Sequence, residues 1–220
     1  MTNIATAEER TVRVHAGGVE LDGTLAIPAS AQGVVLFAHG SGSSRFSSRN
    51  RYVASFLRDG GLATLLIDLL TPDEEAVDSV TREYRFDIDR LADRLVGTSE
   101  WLAAERDTAH LPIGLFGAST GGGAALVAAA ALPDRIRAVV SRGGRTDLAG
   151  EALERVRAPT LLIVGGDDPV VIELNRSAMQ RLRASHQLEI VPGATHLFEE
   201  PGTLEEVARL ARDWLTRFLR

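Results

Sequence analysis

The chain has 220 residues, a length that suits one domain with a single hydrophobic core. Hydrophobic residues make up 45% and charged residues 25%, the composition of a soluble globular protein, which excludes long disordered segments and a chain embedded in a membrane. A formal net charge of −6 argues against binding to nucleic acid or to an anionic membrane surface, since both repel a negative protein.

Two residue types are missing from the sequence, Cys and Lys. The absence of Cys excludes disulfides, thiolate metal sites, iron–sulfur clusters and a cysteine nucleophile. The absence of Lys excludes Schiff-base chemistry and Walker-type phosphate binding, which needs a lysine. The sequence has neither a His/Asp/Glu cluster at metal-ligand spacing nor a dinucleotide-binding glycine pattern, so we expect no metal and no cofactor.

The N-terminal segment Met1–Arg10 is polar, includes Glu8 and Glu9, and lacks the charged-then-apolar pattern of a secretory signal. The longest apolar stretch, Ala124–Leu132, has nine residues, whereas a helix that spans a bilayer needs about 20. We therefore expect a cytoplasmic protein with a polar tail over residues 1–10 and one domain over residues 11–220.

The first predicted elements are two strands, Thr11–Ala16 and Val19–Ile27, joined by the pair Gly17-Gly18 that is typical of an antiparallel hairpin. Six short apolar runs follow, rich in Val, Ile, Leu and Ala, as strands covered on both faces are. These runs are Gly33–Ala38, Ala63–Asp68, Ile113–Phe116, Ile136–Ser141, Thr160–Val164 and Gln187–Val191.

Amphipathic segments that predict helices alternate with these runs. They are Ser48–Asp59, Asp87–Arg106, Gly122–Ala131, Val170–Ala184 and Leu204–Leu219. Strand–helix alternation after an antiparallel start predicts a doubly wound α/β fold with a mostly parallel, eight-stranded sheet and no large cap domain. Ligands of such sheets bind at the carboxyl ends of the strands. The acidic stretch Leu70–Tyr84 is interpreted as a solvated surface loop, with a substrate lid as the alternative.

The most specific motif is Gly117-Ala118-Ser119-Thr120-Gly121, which lies between a predicted strand and a predicted helix. In that context G-x-S-x-G forms a nucleophile elbow, a tight turn that presents the serine hydroxyl above the sheet. A glycine-rich turn that only caps the helix is the alternative. Ser119 is therefore the candidate nucleophile.

A serine hydroxyl needs a base, normally a histidine that a carboxylate orients. His196 follows the last predicted strand and so lies at the carboxyl edge of the sheet. By the same argument His15, His110 and His186 lie away from this edge. We expect His39 to brace a loop rather than to transfer protons, which leaves His196 as the candidate base.

The candidate acid is Asp168, which follows the strand Thr160–Val164 in the sequence Gly165-Gly166-Asp167-Asp168-Pro169. The spacing Gly-x-x-Asp followed by Pro favours Asp168 over Asp167. Asp147 is a more distant alternative. Either aspartate of the pair also suits an N-cap of the following helix.

Backbone N–H groups normally stabilise the negative charge of a tetrahedral intermediate. The residue after the nucleophile, Thr120, is expected to supply one of them. The loop His39-Gly40-Ser41-Gly42-Ser43-Ser44 is expected to supply the other. We expect Ser41 to donate, with Gly42 as the alternative.

The candidate substrate-binding residues are Gly42, Arg142 and Phe198. Arg142 and Arg145 follow a strand at the active edge, where they suit a bidentate contact with a carboxylate of the substrate. Ion pairs with surface acids are the alternative for both. Phe198 lies near the histidine and Phe46 near the oxyanion loop, where each suits an acyl pocket, and a core position is an equal alternative.

On these motifs the chain resembles an α/β-hydrolase and, within that superfamily, the dienelactone hydrolase-like group. The matching segments are His39-Gly40, Gly117–Gly121, Gly165–Asp168 and Gly193-Ala194-Thr195-His196, and the resemblance spans residues 12–219. Authentic dienelactone hydrolases carry cysteine at the elbow, whereas this chain has Ser119 and no Cys, so their substrate does not carry over.

The sequence therefore predicts a serine hydrolase that cleaves small carboxylic esters through a Ser-His-Asp triad. Short acyl chains are expected, because only the 15 residues Leu70–Tyr84 are available for a lid. Lactone hydrolysis or acyl transfer by the same triad is one alternative, and a noncatalytic ligand-binding protein with this fold is another. The sequence leaves the oligomeric state open.

Overall fold

The computed structural model describes residues 9–220, in which one sheet of eight strands lies between two layers of helices. The strands are β1 (Glu9–Ala16), β2 (Val19–Ala26), β3 (Val34–Ala38), β4 (Ala63–Ile67), β5 (Ile113–Ala118), β6 (Ile136–Arg142), β7 (Thr160–Gly165) and β8 (His186–Val191). The helices are α1 (Ser48–Asp59), α2 (Pro72–Thr81), α3 (Ile88–Ala104), α4 (Thr120–Ala131), α5 (Pro169–Met179) and α6 (Thr203–Phe218), with a 3₁₀ segment at Thr146–Arg155.

The strand order is β1-β2-β4-β3-β5-β6-β7-β8. β2 pairs antiparallel with both β1 and β4, and all other neighbouring strands pair parallel. In the described part of the chain, residues 9–220, the connections between these elements carry no large cap domain. The predicted fold class, a mostly parallel eight-stranded α/β-hydrolase sheet with an antiparallel N-terminal hairpin, is confirmed.

The burial of each strand follows from its place in the sheet. β3, β4, β5 and β7 lie inside the sheet and are buried along their whole length, which is why their sequences are almost continuously apolar. β1, at one edge, alternates exposed and buried residues, and β8, at the other edge, is only partly covered. The apolar runs therefore predicted strands correctly because two-sided burial removes the alternation that a one-sided strand shows.

Helices cover both faces of the sheet, so neighbouring residues of one strand enter two different cores. In β3, Leu36 packs in the core that includes α3 and α4, whereas Phe37 packs in the core that includes α1 and α6. The ring centroid of Phe37 lies 4.9 Å from that of Phe116 in β5. The carboxyl ends of the parallel strands lie at one edge of this packed sheet, and the loops of the site follow from that edge.

The stretch 70–84 differs from the predicted surface loop, because it contains α2. Thr71 and Glu74 form a capping box, in which each side chain accepts the backbone N–H of the other residue. That Thr-x-x-Glu signal is present in the sequence. Asp78 of α2 is fully buried and accepts a hydrogen bond from Arg85 Nε at 2.7 Å. Glu74 accepts from Arg90 and Arg94 of α3 at 3.0 and 2.9 Å, so the segment is anchored to the fold.

Several element ends also differ from the predicted ones. α4 begins at Thr120 rather than Gly122, since the elbow turns directly into the helix, and α5 ends at Met179 rather than Ala184. β1 begins at Glu9, and the first eight residues of the predicted polar tail lie outside the described residues. Across residues 9–220, every helix is too short or too polar to cross a membrane.

Candidate active site

The turn between β5 and α4 carries the predicted nucleophile. Ser119 has φ 51° and ψ −121°, a backbone conformation that residues with a side chain rarely adopt. Its N–H donates to the carbonyl of Arg142, and its carbonyl accepts from Gly122 and Arg145. These bonds hold the strained turn in place and present the serine at the start of α4, as the predicted elbow requires.

Two glycines make this turn possible because backbone passes very close to them. A Cβ added to Gly117 would lie 2.4 Å from the carbonyl oxygen of Gly121. A Cβ added to Gly121 would lie 2.3 Å from the carbonyl oxygen of Ala38, the last residue of β3. Any side chain at either position would therefore push α4 away from the sheet and displace Ser119.

The structure brings Ser119, His196 and Asp168 together in one line of contacts. His196 Nε2 lies 3.3 Å from Ser119 Oγ, and His196 Nδ1 lies 2.7 Å from Asp168 Oδ2. The Asp168 side chain is 14% exposed, whereas that of His196 is 38% exposed. A shielded carboxylate thus contacts Nδ1 of the imidazole, and Nε2 of the same ring faces the serine hydroxyl. The imidazole itself remains open to solvent.

Asp168, rather than Asp167, faces the histidine, and it performs two tasks. Its Oδ2 accepts from His196, while its Oδ1 accepts the N–H of Val171 at 3.4 Å and caps α5. The side chain of Asp167 points to solvent, and Asp147 forms a bidentate pair with its neighbour Arg145. The capping role considered in the sequence therefore coexists with contact to the histidine.

Close backbone approaches position the loops that carry Asp168 and His196. A Cβ at Gly165 would lie 2.3 Å from the carbonyl oxygen of Ala194, in the loop that leads to His196. A Cβ at Gly143 would lie 3.4 Å from the ring of His196. Glycine at these two positions lets the loops after β6, β7 and β8 converge on the imidazole.

The two predicted oxyanion donors both lie at the same cleft as Ser119. Within residues 9–220, neither the N–H of Ser41 nor that of Thr120 donates to another protein group. Gly42, by contrast, has φ +65° and lines a second cleft of about 760 Å³ on the other side of the loop, together with Phe46. The geometry therefore favours Ser41 over Gly42 as the donor from this loop.

His39 braces the oxyanion loop, as predicted. Its Nε2 accepts the N–H of Leu69 at 3.0 Å, and its Nδ1 donates to the carbonyl of Gly40 at 2.9 Å. Burial lowers the pKa of His39 below its usual value of 6.5, and this effect outweighs the raising effects of the Gly40 hydrogen bond and nearby carboxylates. The neutral ring therefore ties the end of β3 to the segment after β4.

The cleft beside Ser119 has a volume of about 520 Å³ and an apolar wall that sequence reasoning missed. Phe86, Val170 and Leu174 form much of this wall, and Val170 is 69% exposed. Phe86 lies just before α3 and Val170 in the first turn of α5. Each is an apolar residue at the exposed start of a helix, which is the one signal the sequence offered.

None of the three predicted substrate-binding residues lines this cleft, and the assignment of Gly42 is corrected because it lines the second cleft. Phe198 is 1% exposed and packs in the core formed with α1 and α6, so its assignment to the acyl pocket is corrected. Arg142 is also buried, and its side chain lies beside Phe198, so its assignment to the cleft is corrected as well. Arg145 does line the cleft, but it is paired with Asp147. Phe198 and Arg142 miss the cleft for the same reason, because their side chains turn to the face of the sheet that α1 and α6 cover.

The described residues contain no group of three or more His, Asp or Glu side chains that is able to hold a metal ion. At the cleft itself, the structure brings together a serine hydroxyl, an imidazole and a carboxylate.

Comparison with known proteins agrees with this geometry. The family model described as "Dienelactone hydrolase family" matches residues 21–220, nearly the whole chain. The chain belongs to the dienelactone hydrolase family.

A solved structure of a dienelactone hydrolase from Anabaena variabilis is 60% identical to this family member, with a TM-score of 0.96, and covers 98% of this chain and 100% of its own. An α/β serine hydrolase without lid from Xanthomonas campestris shares the fold at 21% identity, with a TM-score of 0.77 over 96% of this chain and 95% of its own.

Curated relatives from two strains of Mycobacterium tuberculosis are also 60% identical, over 206 residues. Their provisional name is phosphoribosyl transferase. The match covers 94% of this chain but 46% of those proteins, so this chain spans about half of their length. Their name therefore refers to longer proteins, more than half of which lies outside the match.

Proposed function

We propose that this chain is a serine carboxylesterase that hydrolyses small carboxylic esters through a covalent acyl-enzyme. The observation that carries the proposal is the unbroken line from Asp168 through His196 to Ser119, at an open cleft. Serine is the nucleophile in this proposal because the chain has no cysteine to take that place.

In the first step Ser119 Oγ attacks the carbonyl carbon of the ester, and His196 Nε2 takes the serine proton. The 3.3 Å separation of these two atoms is long for a hydrogen bond of this kind, and such contacts normally tighten when substrate binds. Asp168 keeps the proton of the neutral ring on Nδ1, so that Nε2 is free to accept.

The tetrahedral intermediate carries a negative oxygen, which the N–H groups of Ser41 and Thr120 stabilise in this proposal. Both groups are free to donate, as far as the described residues show, and both lie at the cleft. The imidazolium of His196 then protonates the leaving alcohol, and the carbon–oxygen bond of the ester breaks to give the acyl-enzyme.

Water completes the cycle. His196 is 38% exposed at its side chain, so water reaches Nε2 without the opening of a lid. The base removes a proton from water, the hydroxide attacks the acyl carbon, and the returned proton releases Ser119 with the free acid. The open position of the histidine therefore favours hydrolysis over transfer of the acyl group to another acceptor.

The cleft supports short acyl chains as substrates. Its volume is about 520 Å³, the exposed residues Phe86 and Val170 line it, and no cap domain within residues 9–220 lengthens the apolar wall. A lactone is an internal ester that the same groups attack, and a named structural relative is a dienelactone hydrolase, so lactones belong in the substrate panel. We expect acetyl and butyryl esters to be cleaved with higher kcat/KM than esters of long-chain acids.

A fluorophosphonate probe tests the proposal directly. We expect wild-type protein to be labelled, Ser119→Ala to remain unlabelled and inactive, and the matched surface control Ser185→Ala to behave as wild type. A panel of esters and lactones, run with competing alcohol and amine acceptors, then separates hydrolysis from acyl transfer by its products. An unlabelled wild type would instead favour a ligand-binding protein with a hydrolase fold.

A further inference from the structure

Asn175 lies in α5, seven residues after Asp168, so the two residues are on the same side of the helix. Its side chain is fully buried. The amide nitrogen Nδ2 donates to the carbonyl of Val171, one turn earlier, at 2.8 Å and to the carbonyl of Gly144 at 2.9 Å. Both partners are carbonyl oxygens, so the nitrogen of the amide, and not Oδ1, must face them. Asn175 therefore connects α5 to the loop that follows β6.

The helix by itself gives no reason for an asparagine at this position. Asparagine is a poor helix former in a helix interior, because its side chain competes for backbone hydrogen bonds. Asn175 Oδ1 is enclosed and has no hydrogen-bond partner within residues 9–220, and a buried acceptor without a partner is unfavourable. A favourable contact of this side chain outside its own helix is the bond to Gly144. The role of Asn175 is therefore in the loop rather than in α5.

The peptide group that links Gly144 to Arg145 has both of its polar atoms in use. Its carbonyl oxygen accepts from Asn175 at 2.9 Å, and its N–H donates to the carbonyl of Ser119 at 3.0 Å. A trans peptide group is planar, so its C=O and N–H point in opposite directions and neither rotates without the other. Asn175 therefore sets the orientation of the N–H group that holds the backbone of Ser119.

The loop that contains this peptide has little conformational restraint from its own sequence. Gly143 and Gly144 precede Arg145, and glycine leaves the backbone unusually free to rotate. Gly143 has φ +53° and lies against the base, since an added Cβ would be 3.4 Å from the ring of His196. Rotation of the next peptide would move the contact with Ser119 and also the residue that packs on His196. A side chain that holds this peptide therefore acts on both partners of the proton transfer.

We propose that Asn175 is a positioning residue for ester hydrolysis: by holding the carbonyl of Gly144, it keeps Ser119 and His196 at the distance that proton transfer requires. This inference rests on the proposed function and deepens it. α5 then serves the site at two points, because its N-cap Asp168 contacts the imidazole and Asn175 fixes the loop between nucleophile and base. Asn175 does not line the cleft, so its effect is on the rate of the chemical step and not on the binding of substrate.

Asn175→Leu tests the proposal, because leucine has the same number and branching of side-chain heavy atoms as asparagine and no donor. Thr108→Val is the matched control. Thr108 is fully buried, lies in the segment between α3 and β5, and donates from Oγ1 to the carbonyl of Leu102 at 2.7 Å. Valine again replaces the side chain atom for atom, so the control loses a buried hydrogen bond near the amino end of β5, away from the catalytic edge.

The kinetic readout separates positioning from stability. We expect kcat of Asn175→Leu on an acetyl ester to fall by about 10–100-fold, with KM within about twofold of wild type. The rate constant of labelling by a fluorophosphonate should fall by a similar factor, since labelling needs the same activated serine. Thr108→Val should keep kcat within about twofold, even where its Tm is lowered as much as that of Asn175→Leu. A wild-type kcat in Asn175→Leu, or an equal loss in Thr108→Val, would overturn the proposal.

Amide exchange of Arg145, followed by NMR, tests the same contact without any enzymatic assay. We expect this N–H to exchange at least about tenfold faster in Asn175→Leu than in wild type, and at the wild-type rate in Thr108→Val. An unchanged exchange rate in Asn175→Leu would refute the positioning role alone. An inactive, unlabelled wild type would instead refute the esterase proposal and, with it, the catalytic part of this one.

If Asn175→Leu does not fold, Asn175→Ser takes its place. A serine hydroxyl at this position bonds to the carbonyl of Val171 in its own helix, but it is too short to reach Gly144. The same loss of kcat and the same faster exchange of Arg145 are expected. Wild-type values for both would overturn the proposal.

Discussion

Substitution of Asp168 separates catalysis from stability at one position, because its two oxygens have different partners. Oδ2 accepts from His196 Nδ1 at 2.7 Å and Oδ1 accepts from Val171 N–H at 3.4 Å. In Asp168→Asn the amide oxygen takes the acceptor role at α5, so the amide NH₂ faces the imidazole. Nδ1 must then accept, the proton of the ring moves to Nε2, and Nε2 is no longer able to take the proton of Ser119.

The magnitudes follow from these contacts. We expect kcat/KM of Asp168→Asn to fall by about 10³–10⁴, which corresponds to about 4–5.5 kcal/mol of lost transition-state stabilisation. Its free energy of unfolding should stay within about 0.5 kcal/mol of wild type, since the cap of α5 is retained. Asp168→Ala loses the cap too, and the long 3.4 Å contact places that cost at the low end, about 0.5–1 kcal/mol.

The assay is kcat/KM on a short-chain ester together with urea unfolding for each variant. Asp167→Asn is the matched control, because it removes an exposed neighbouring carboxylate and should keep kcat/KM within about twofold of wild type. If Asp168→Asn retains more than a tenth of wild-type kcat/KM, the assigned role of Asp168 as the orienting acid is refuted.

Three further substitutions test the supports of the site. Gly121→Ala places a Cβ 2.3 Å from a carbonyl oxygen of β3, so we expect a loss of about 1–3 kcal/mol in urea unfolding and at least tenfold in kcat/KM; wild-type values for both would contradict the packing argument. His39→Ala leaves the buried N–H of Leu69 unpaired at a cost of about 1–3 kcal/mol at pH 7. Because the pKa of His39 is lowered, the neutral ring contributes stability above pH 6.5 that declines as the pH falls, so the difference between wild type and His39→Ala should shrink by pH 5; a constant difference would count against this role. Burial by itself would raise the pKa of Asp78, but hydrogen bonds from Arg85 and its neighbour Tyr84 lower it overall. The difference in free energy of unfolding between wild type and Asp78→Asn should therefore be largest above about pH 4 and decline below it. The opposite trend would refute the ion-pair account.

The sequence by itself determined the fold class and the three central residues of the site. Ser119, Asp168 and His196 are far apart in the chain, but each follows a strand whose apolar run is unmistakable. Parallel strands end at one edge of a sheet, so these positions had to converge, whatever the details of packing. Topology thus brought the three residues to one edge, whereas the packing of the loops set the contacts of their side chains.

Two further local sequence patterns correspond to features of the structure, a helix start in α2 and the apolar wall of the cleft. The capping box of α2 at Thr71 and Glu74 is a sequence pattern, yet the acidic and polar character of the segment favoured a loop. Phe86 and Val170 gave a weaker signal, since an apolar residue near the start of a helix does not by itself indicate a binding cleft. Their place at the cleft depends on how α3 and α5 sit against the sheet.

Only the tertiary structure decided the roles of Arg142 and Phe198. Phe198 lies two residues after His196, and Arg142 ends a strand at the predicted active edge, which is why both were expected to touch substrate. Both side chains instead enter the face covered by α1 and α6. The direction of a side chain at a strand end or in a loop is set by contacts with elements distant in sequence. The order of the strands therefore placed the backbones of both residues near the cleft, and packing turned both side chains into the interior.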